Sequence, residues 1–253
     1  MKTIALAGKG GTGKTTLSAL LIRALLRAGV RPVLAIDADP ATNLHLALGL
    51  PQPATVGDVR EEMLEAAKAQ QLGVAISRHD YLRQEVRMAL EEGEAVDLLA
   101  MGRPEGQGCY CAVNHLLRQI IDDLGRSYDY VVIDNEAGME HIARRTTKDV
   151  DVLLVVTDPS LRGLRTAASI AEMARDIEVN VKKSMLIVNR VEGELTPEQQ
   201  AAIEATHLEL AALIPADARV NQLDAQGQPL LHLDGDSPAG QAVDAMTGRL
   251  VNI

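Results

Sequence analysis

The sequence contains no Phe and no Trp, and it has only four Tyr among its 253 residues. Because large aromatic side chains are scarce, a core must be built from Leu, Ile, Val, Ala and Met. The hydrophobic fraction of 47% and the charged fraction of 24% are nevertheless ordinary for a globular protein. A chain of this length can bury one large α/β core. We therefore expect a single domain that spans residues 1–253.

Basic residues are also few. The 25 Lys and Arg residues are outnumbered by 35 Asp and Glu residues, so the net charge is −10. Such a charge repels the phosphate backbone of nucleic acids and the surface of anionic membranes. No apolar run approaches the ~20 residues of a membrane-spanning helix, and the N-terminal residues do not resemble a signal peptide. We expect a cytoplasmic protein that binds no nucleic acid and has no stable membrane anchor.

The most informative segment is GKGGTGKTT at residues 8–16, between an apolar run and a segment with helical periodicity. It matches G-x-x-x-x-G-K-[ST], the phosphate-binding loop (P-loop), in the strand-loop-helix setting that this motif requires. The glycines allow the backbone to wrap around phosphates, Lys14 would reach the β- and γ-phosphates, and the Thr15 hydroxyl would bind Mg²⁺. The predicted binding residues of the loop are Gly8, Gly10, Gly11, Thr12, Gly13, Lys14, Thr15 and Thr16.

Apolar runs alternate with segments of helical periodicity along the rest of the chain. Continuous apolar runs are typical of parallel strands that are covered on both faces. We predict an α/β fold with a mostly parallel, doubly wound sheet and helices on both faces. The predicted strands are Thr3–Ala7, Pro32–Asp37, Ala95–Met101, Tyr130–Asp134, Asp151–Thr157, Ser184–Asn189 and Leu208–Ile214. The predicted helices are 15–28, 113–124, 160–176, 197–205 and 238–250, with residues 50–94 as a helical excursion within the same domain.

Carboxylates follow two of the predicted strands. Asp37 and Asp134 emerge where ligands of doubly wound folds bind, at the carboxyl edge of the sheet. Asp134 also begins a D-x-x-x-G segment that is typical of a Walker B strand running into a switch. Asp134 would hold Mg²⁺ directly or through water, and Gly138 would let the backbone approach a γ-phosphate. The structural alternative is a strand-end aspartate that caps the next turn.

The P-loop carries a second lysine, Lys9, directly after its first glycine. A loop of the form GKGGxGKTT resembles the deviant P-loop of the MinD, ParA and nitrogenase iron protein superfamily. The resemblance implies a P-loop ATPase in which two subunits enclose ATP or ADP and Lys9 reaches the partner's nucleotide. In the segment D-x-D-P, it assigns Asp39 to orienting the attacking water and places Asp37 nearer to Mg²⁺. Lys9, Lys14 and Asp39 are thus the implied catalytic residues.

Fewer residues support the part of the resemblance that concerns recognition of the nucleotide base. Asn189, at the end of the segment IVN, corresponds to the asparagine with which the superfamily recognises adenine. Pro215 and Asp217, in the segment IPAD, resemble the second loop on the base side. A strand-end asparagine that caps a turn remains the alternative for Asn189.

The two cysteines, Cys109 and Cys111, are separated by a single residue in a glycine-rich loop. Two thiolates are too few to complete a four-coordinate metal site, but a two-fold symmetric dimer would supply four. Four thiolates suit Zn²⁺, Ni²⁺ or an iron–sulfur cluster. Two inert thiols are the structural alternative.

The loop GCYC, together with residues 134–141 (DNEAGMEH), resembles the CooC-type maturation ATPases. These proteins serve nickel insertion into carbon monoxide dehydrogenase. The resemblance implies a homodimeric metallochaperone that binds Ni²⁺ or Zn²⁺ between subunits and acts on a client apo-metalloenzyme. His141 stands where the nitrogenase iron protein carries a cluster cysteine, which argues against an electron-transfer role. A MinD- or ParA-like positioning ATPase and an iron–sulfur scaffold ATPase remain alternatives.

Overall fold

The computed structural model describes residues 1–68, 77–103, 111–136, 149–176 and 180–251. Within these residues seven strands form one sheet, in the order β3-β2-β4-β1-β5-β6-β7, and every pair of neighbours is parallel. The strands are β1 (Lys2–Gly8), β2 (Val33–Asp37), β3 (Asp97–Ala100), β4 (Tyr130–Asp134), β5 (Asp149–Thr157), β6 (Asn180–Val191) and β7 (Glu209–Pro215). The predicted α/β fold with a doubly wound sheet is confirmed.

Helices connect successive strands, as parallel neighbours require, except between β4 and β5, where residues 137–148 lie outside the described residues. They are α1 (Lys14–Arg27), α2 (Leu44–Leu48), α3 (Val56–Lys68), α4 (Arg78–Met88), α5 (Cys111–Gly125), α6 (Leu161–Asp176), α7 (Pro197–Glu204), α8 (Ala218–Ala225) and α9 (Pro238–Val251). A 3-10 turn lies at Leu230–His232. In the part of the chain that the structure describes, no helix is long and apolar enough to cross a membrane.

Two apolar cores lie on opposite faces of the sheet. Along β1, Ile4 and Leu6 belong to the core beneath α1 and α9, whereas Ala5 and Ala7 belong to the core beneath α5 and α6. This alternation follows from the two-residue period of a strand. The buried residues of both cores are almost all aliphatic, as expected from a sequence without Phe and Trp.

The predicted strands all form, with shifted ends. β6 begins earlier and ends later than predicted, so that Asn189 lies inside this strand. Three short elements were not predicted: α2, α8 and the 3-10 turn. Elements of three to eight residues present too few turns for a helical period to be recognised. In the predicted excursion at 50–94, α3 and α4 pack over the same core as α5.

Candidate nucleotide-binding site

The P-loop leaves β1 at the carboxyl edge of the sheet and leads into α1. It lies so close to neighbouring strands that two of its glycines are required. A Cβ atom on Gly8 would lie 2.2 Å from the carbonyl oxygen of Val156, at the end of β5. Gly13 has a φ of 86°, and a Cβ atom there would lie 2.5 Å from Nδ2 of Asn189. The ends of β5 and β6 therefore hold the loop from one side.

Lys14 is buried at the start of α1. Its ammonium group donates a hydrogen bond of 3.3 Å to the carbonyl oxygen of Lys9, which also accepts a bond of 2.9 Å from the Thr12 hydroxyl. Burial lowers the pKa of Lys14, and the charges of Asp134, Asp39 and Glu136 oppose this shift. Lys9 itself is exposed, and these contacts to the loop are made by its backbone carbonyl.

Asp37 and Asp134 end neighbouring strands and are direct partners in the register of β2 and β4. Both are buried, with 1% of each residue exposed. The two oxygens of Asp37 accept hydrogen bonds from the backbone N–H groups of Asp39 (3.0 Å) and Leu44 (2.9 Å). Asp134 accepts a hydrogen bond of 3.2 Å from the Ser18 hydroxyl. Asp37 and Asp134, each predicted to lie at the carboxyl edge of the sheet, are thus direct neighbours there.

Both carboxyl groups ionise less readily than an exposed aspartate does. Burial raises the pKa of Asp37 to about 6. Burial likewise raises the pKa of Asp134 to about 7, with a further contribution from the charge of Asp37, although a hydrogen bond from Thr15 opposes the shift. Oxygen ligands of this kind suit Mg²⁺, which binds proteins through one or two carboxylates and substrate phosphates. Thr15, Asp37 and Asp134 therefore fit the predicted Mg²⁺ site.

A cleft of about 580 Å³ opens beside the P-loop. Asp39 lines it, and its Oδ1 accepts a hydrogen bond of 2.9 Å from the backbone N–H of Ala41. The other lining residues come from the P-loop, the α2 region, the end of β4, the end of β6 and the region of α8: Gly10, Gly11, Gly13, Lys14, Thr15, Thr16, Asn43, Leu46, Ala47, Glu136, Arg190, Asp224, Gly227, Gln228 and Leu230. Most of the predicted phosphate residues, together with Thr15 and Asp39, thus line one cleft.

The three residues predicted to recognise the base also come together. Asn189, Pro215 and Asp217 line one small cavity next to Thr16. Asn189 is buried, and its Nδ2 donates a hydrogen bond of 2.8 Å to the carbonyl oxygen of Thr12. The structure therefore gives Asn189 a contact with the P-loop that the sequence did not suggest. Adenine recognition by this residue stays a prediction.

Asp217 has a clear structural role. It caps α8 through the N–H of Arg219 (2.9 Å) and holds the start of α9 through Ser237 Oγ (2.6 Å) and Ala239 N–H (3.2 Å). Burial disfavours its ionised form, but these hydrogen bonds outweigh burial and lower the pKa of Asp217. Whether Asp217 also binds nucleotide stays a prediction.

Ser18 and Arg190 are two of the site residues that sequence reasoning missed. Ser18 follows Lys14 by one helical turn, and this spacing was a usable signal for a contact near the phosphates. No such spacing pointed to Arg190. In a regular strand its side chain would lie on the opposite face of the sheet from that of Asn189. Four predicted groups are not placed: Cys109, Gly138 and His141 lie outside the described residues, and for Cys111 only its position as the first residue of α5 is described.

Residues 3–230 match the family described as CbiA, the CobQ/CobB/MinD/ParA nucleotide binding domain. The match covers the P-loop, both buried carboxylates and Asn189. The chain belongs to the CobQ/CobB/MinD/ParA nucleotide-binding family. Within this family, the structure resembles that of the MinD cell division protein of Aquifex aeolicus, with a TM-score of 0.73 and 23% identity over 100% of this chain and 98% of that chain.

Two relatives align with this CobQ/CobB/MinD/ParA family member over most of the length of both chains. An uncharacterized ATP-binding protein of Methanocaldococcus jannaschii is 41% identical over 249 residues, which cover 98% of each chain. The carbon monoxide dehydrogenase accessory protein CooC of Rhodospirillum rubrum is 34% identical over 235 residues, which cover 88% of this chain and 87% of the relative. The expected superfamily is therefore confirmed, and membership of the CooC type stays a prediction.

Proposed function

We propose that this protein is a slow Mg-ATP hydrolase whose two subunits enclose the nucleotides. The observation that carries the proposal is the pair of buried carboxylates, Asp37 and Asp134, beside the P-loop. Because burial raises the pKa of both groups, a neighbouring positive charge would stabilise their ionised forms. A divalent cation bound to nucleotide phosphates would supply that charge.

Phosphoryl transfer depends mainly on positioning and on neutralisation of charge. Lys14 would neutralise charge on the β- and γ-phosphates, while Thr15, Asp37 and Asp134 would hold Mg²⁺ directly or through water. A Mg²⁺ ion held by these residues would supply positive charge that offsets the negative charge of the phosphates. Asp39 lines the cleft and would orient the attacking water. Lys9, exposed on the outer side of the loop, would reach the nucleotide of a second subunit.

The test is phosphate release from Mg-ATP by the wild-type protein and by Lys14→Ala. Lys183→Ala is the matched control, since Lys183 is paired with Glu209 at 2.8 Å, away from the cleft. We expect the wild-type protein and Lys183→Ala to hydrolyse ATP and Lys14→Ala to bind and hydrolyse it at least about 100-fold less well. Equal rates for all three proteins would reject the P-loop as the active site.

In this proposal the ATPase cycle serves metal delivery. Cys109 and Cys111 of two subunits would together supply four thiolates for Ni²⁺ or Zn²⁺ as cargo. The proposal is supported by the chemistry of a Cys-x-Cys pair and by the 34% identity to a carbon monoxide dehydrogenase accessory protein. The client would be an apo-metalloenzyme, with carbon monoxide dehydrogenase the first to test.

Anaerobic titration of Ni²⁺ into the reduced protein, with and without ADP, tests the cargo. We expect one metal per dimer, a thiolate-to-nickel charge-transfer band, and an affinity that changes with nucleotide. The double variant Cys109→Ala, Cys111→Ala should lose the band and keep its ATPase activity. Stoichiometric nickel binding by the double variant would reject the thiolate site.

A positioning ATPase is the second candidate, because the solved structure reported above is a MinD cell division protein. Binding of the ATP-loaded protein to anionic vesicles separates the two functions. Vesicle binding together with an absent thiolate band would favour positioning over metal delivery. An iron–sulfur scaffold would instead give a cluster spectrum after reconstitution with iron and sulfide.

A further inference from the structure

The end of β6 departs from regular strand geometry at Asn189 and Arg190. Pairing with β7 is regular at Val188, and it resumes with a shifted register at Val191. Arg190 has a φ of 58°, in the left-handed region that residues other than glycine rarely adopt. A bulge of this kind next to a functional site re-aims side chains. Two consecutive side chains of β6, which would otherwise face opposite ways, can therefore reach the same loop.

Both side chains contact the P-loop backbone. Asn189 Nδ2 donates to the carbonyl oxygen of Thr12 at 2.8 Å, and Arg190 Nη1 donates to the carbonyl oxygen of Gly11 at 3.1 Å. The pair is also tied internally, since Asn189 Oδ1 accepts a hydrogen bond of 3.0 Å from the backbone N–H of Arg190. Two successive carbonyl groups of the P-loop are thus held by two successive residues of β6.

These contacts fix the direction of the loop's N–H groups. A peptide unit is planar and trans, so its C=O and N–H groups point in opposite directions. When β6 holds the carbonyls of Gly11 and Thr12, the Gly13 N–H faces away from β6, and the Thr12 N–H closes the loop by donating to the carbonyl oxygen of Lys9 at 3.4 Å. The Gly13 N–H stands at the N-terminus of α1, where backbone N–H groups bind phosphate. Arg190 in addition lines the cleft and brings a positive charge to it.

The positive φ of Arg190 is energetically unfavourable for residues other than glycine. Such backbone conformations persist at sites where the surrounding structure imposes them. His207 offers a comparison, because it has a φ of 53° in the turn between α7 and β7. His207 does not line the described cleft. Thr42 has a φ of 47° as well, so among the described residues a left-handed backbone does not by itself mark a contact with the P-loop.

We propose that Arg190 is a positioning residue of the P-loop that sets the affinity for nucleotide. Its guanidinium group orients the Gly11 peptide, and its charge favours a polyanionic ligand in the cleft. The inference rests on the proposed function only in that the P-loop binds ATP or ADP. It does not require hydrolysis, dimerisation or a metal cargo.

The test combines ADP binding by calorimetry with thermal unfolding of the nucleotide-free protein. Arg190→Gly should raise the Kd for ADP about tenfold, the effect expected when a hydrogen bond to a charged group is lost. Its Tm should stay equal or rise, because glycine adopts a positive φ without strain. Arg190→Lys, which keeps the charge and one donor, should restore part of the affinity. His207→Gly, the matched control, should leave the Kd unchanged.

Three results would overturn the inference. An unchanged Kd in Arg190→Gly would show that the contact with Gly11 is incidental. A Tm that falls together with the affinity in this variant would show that Arg190 supports the fold instead. A wild-type protein that binds ADP without hydrolysing ATP would reject the proposed hydrolase and leave the binding comparison intact. A wild-type protein that binds no nucleotide would reject both.

Discussion

Asp134→Asn should make the nucleotide-free protein more stable while it removes the proposed ATPase activity. Burial raises the pKa of Asp134 from 3.8 to about 7, so the folded state holds this proton more tightly than the unfolded state does. The proton favours folding at low pH, and its contribution is lost as the pH rises through the folded pKa. At neutral pH and above, the wild-type protein must accommodate a buried charge that the variant lacks.

The magnitude follows from the two pKa values. With a pKa of 3.8 for Asp134 in the unfolded state and about 7 in the folded state, the wild-type protein loses about 3 kcal/mol of unfolding free energy between about pH 5 and about pH 8. Asparagine does not ionise, so the stability of the variant relative to wild type should grow by this amount over the same interval. For a chain of this size that difference corresponds to roughly 6–12 °C in Tm.

The assay is urea unfolding followed by far-UV circular dichroism at both pH values, since the sequence has no Trp to report by fluorescence. Asp151→Asn is the control of opposite sign. Burial raises the pKa of Asp151, but Lys182 at 2.6 Å and the N–H of Thr3 at 2.7 Å outweigh burial and lower it. Asp151→Asn should therefore lose stability at about pH 8. Mg-ADP should stabilise wild type and not Asp134→Asn.

Two results would refute this reasoning. The first is a stability difference between Asp134→Asn and wild type that does not change with pH, because the buried charge would then have no energetic effect. The second is equal stabilisation of both proteins by Mg-ADP, because Asp134 would then have no part in binding the metal and nucleotide. A gain in stability together with lost activity is the pattern expected of a charge retained for function.

Two further predictions concern Lys9 and Asp217. Lys9→Ala should leave the Kd for ADP within about twofold, because Lys14 and Thr12 contact the Lys9 backbone carbonyl and not its side chain. If the Lys9 side chain acts on the partner's nucleotide, the same variant should lower ATP turnover at least about 100-fold. Normal ATP hydrolysis by this variant would reject that role. Asp217→Asn should lower the unfolding free energy by about 1–3 kcal/mol at neutral pH, since two helix starts lose a charged acceptor. That loss should shrink as acid protonates Asp217 in the wild type, because a lowered folded pKa gives stability that disappears as the pH falls through it. Asp224→Asn, an exposed change on the same helix, is its control, and an equal loss there would contradict the capping role.

Local sequence was sufficient for the elements that carry the phosphate chemistry. The P-loop is contiguous, and its glycines, Lys14 and Thr15 need only a strand before them and a helix after them. The strands were equally predictable, because a strand buried on both faces must be apolar along its whole length. The carboxylates that follow two of those strands pointed to one edge of the sheet before any strand order was known.

The tertiary structure decided which strand ends meet. Asp37 and Asp134 lie 97 positions apart in the chain and become partners because β2 pairs with β4, while β3 occupies the edge of the sheet. Apolar runs carry little information about strand order, since each run can be buried beside any other. The raised pKa of both carboxyl groups is a consequence of that pairing and of burial.

Arg190 shows most clearly what the sequence could not reveal. Strand periodicity places it on the face opposite to Asn189, and only the shifted register between β6 and β7 turns it toward the P-loop. The sequence by itself determined which segments form strands and which loop binds phosphate, because these depend on neighbouring residues. The shape of the site was decided by packing between distant segments, which alone fixed the partner of each strand and the direction of each side chain.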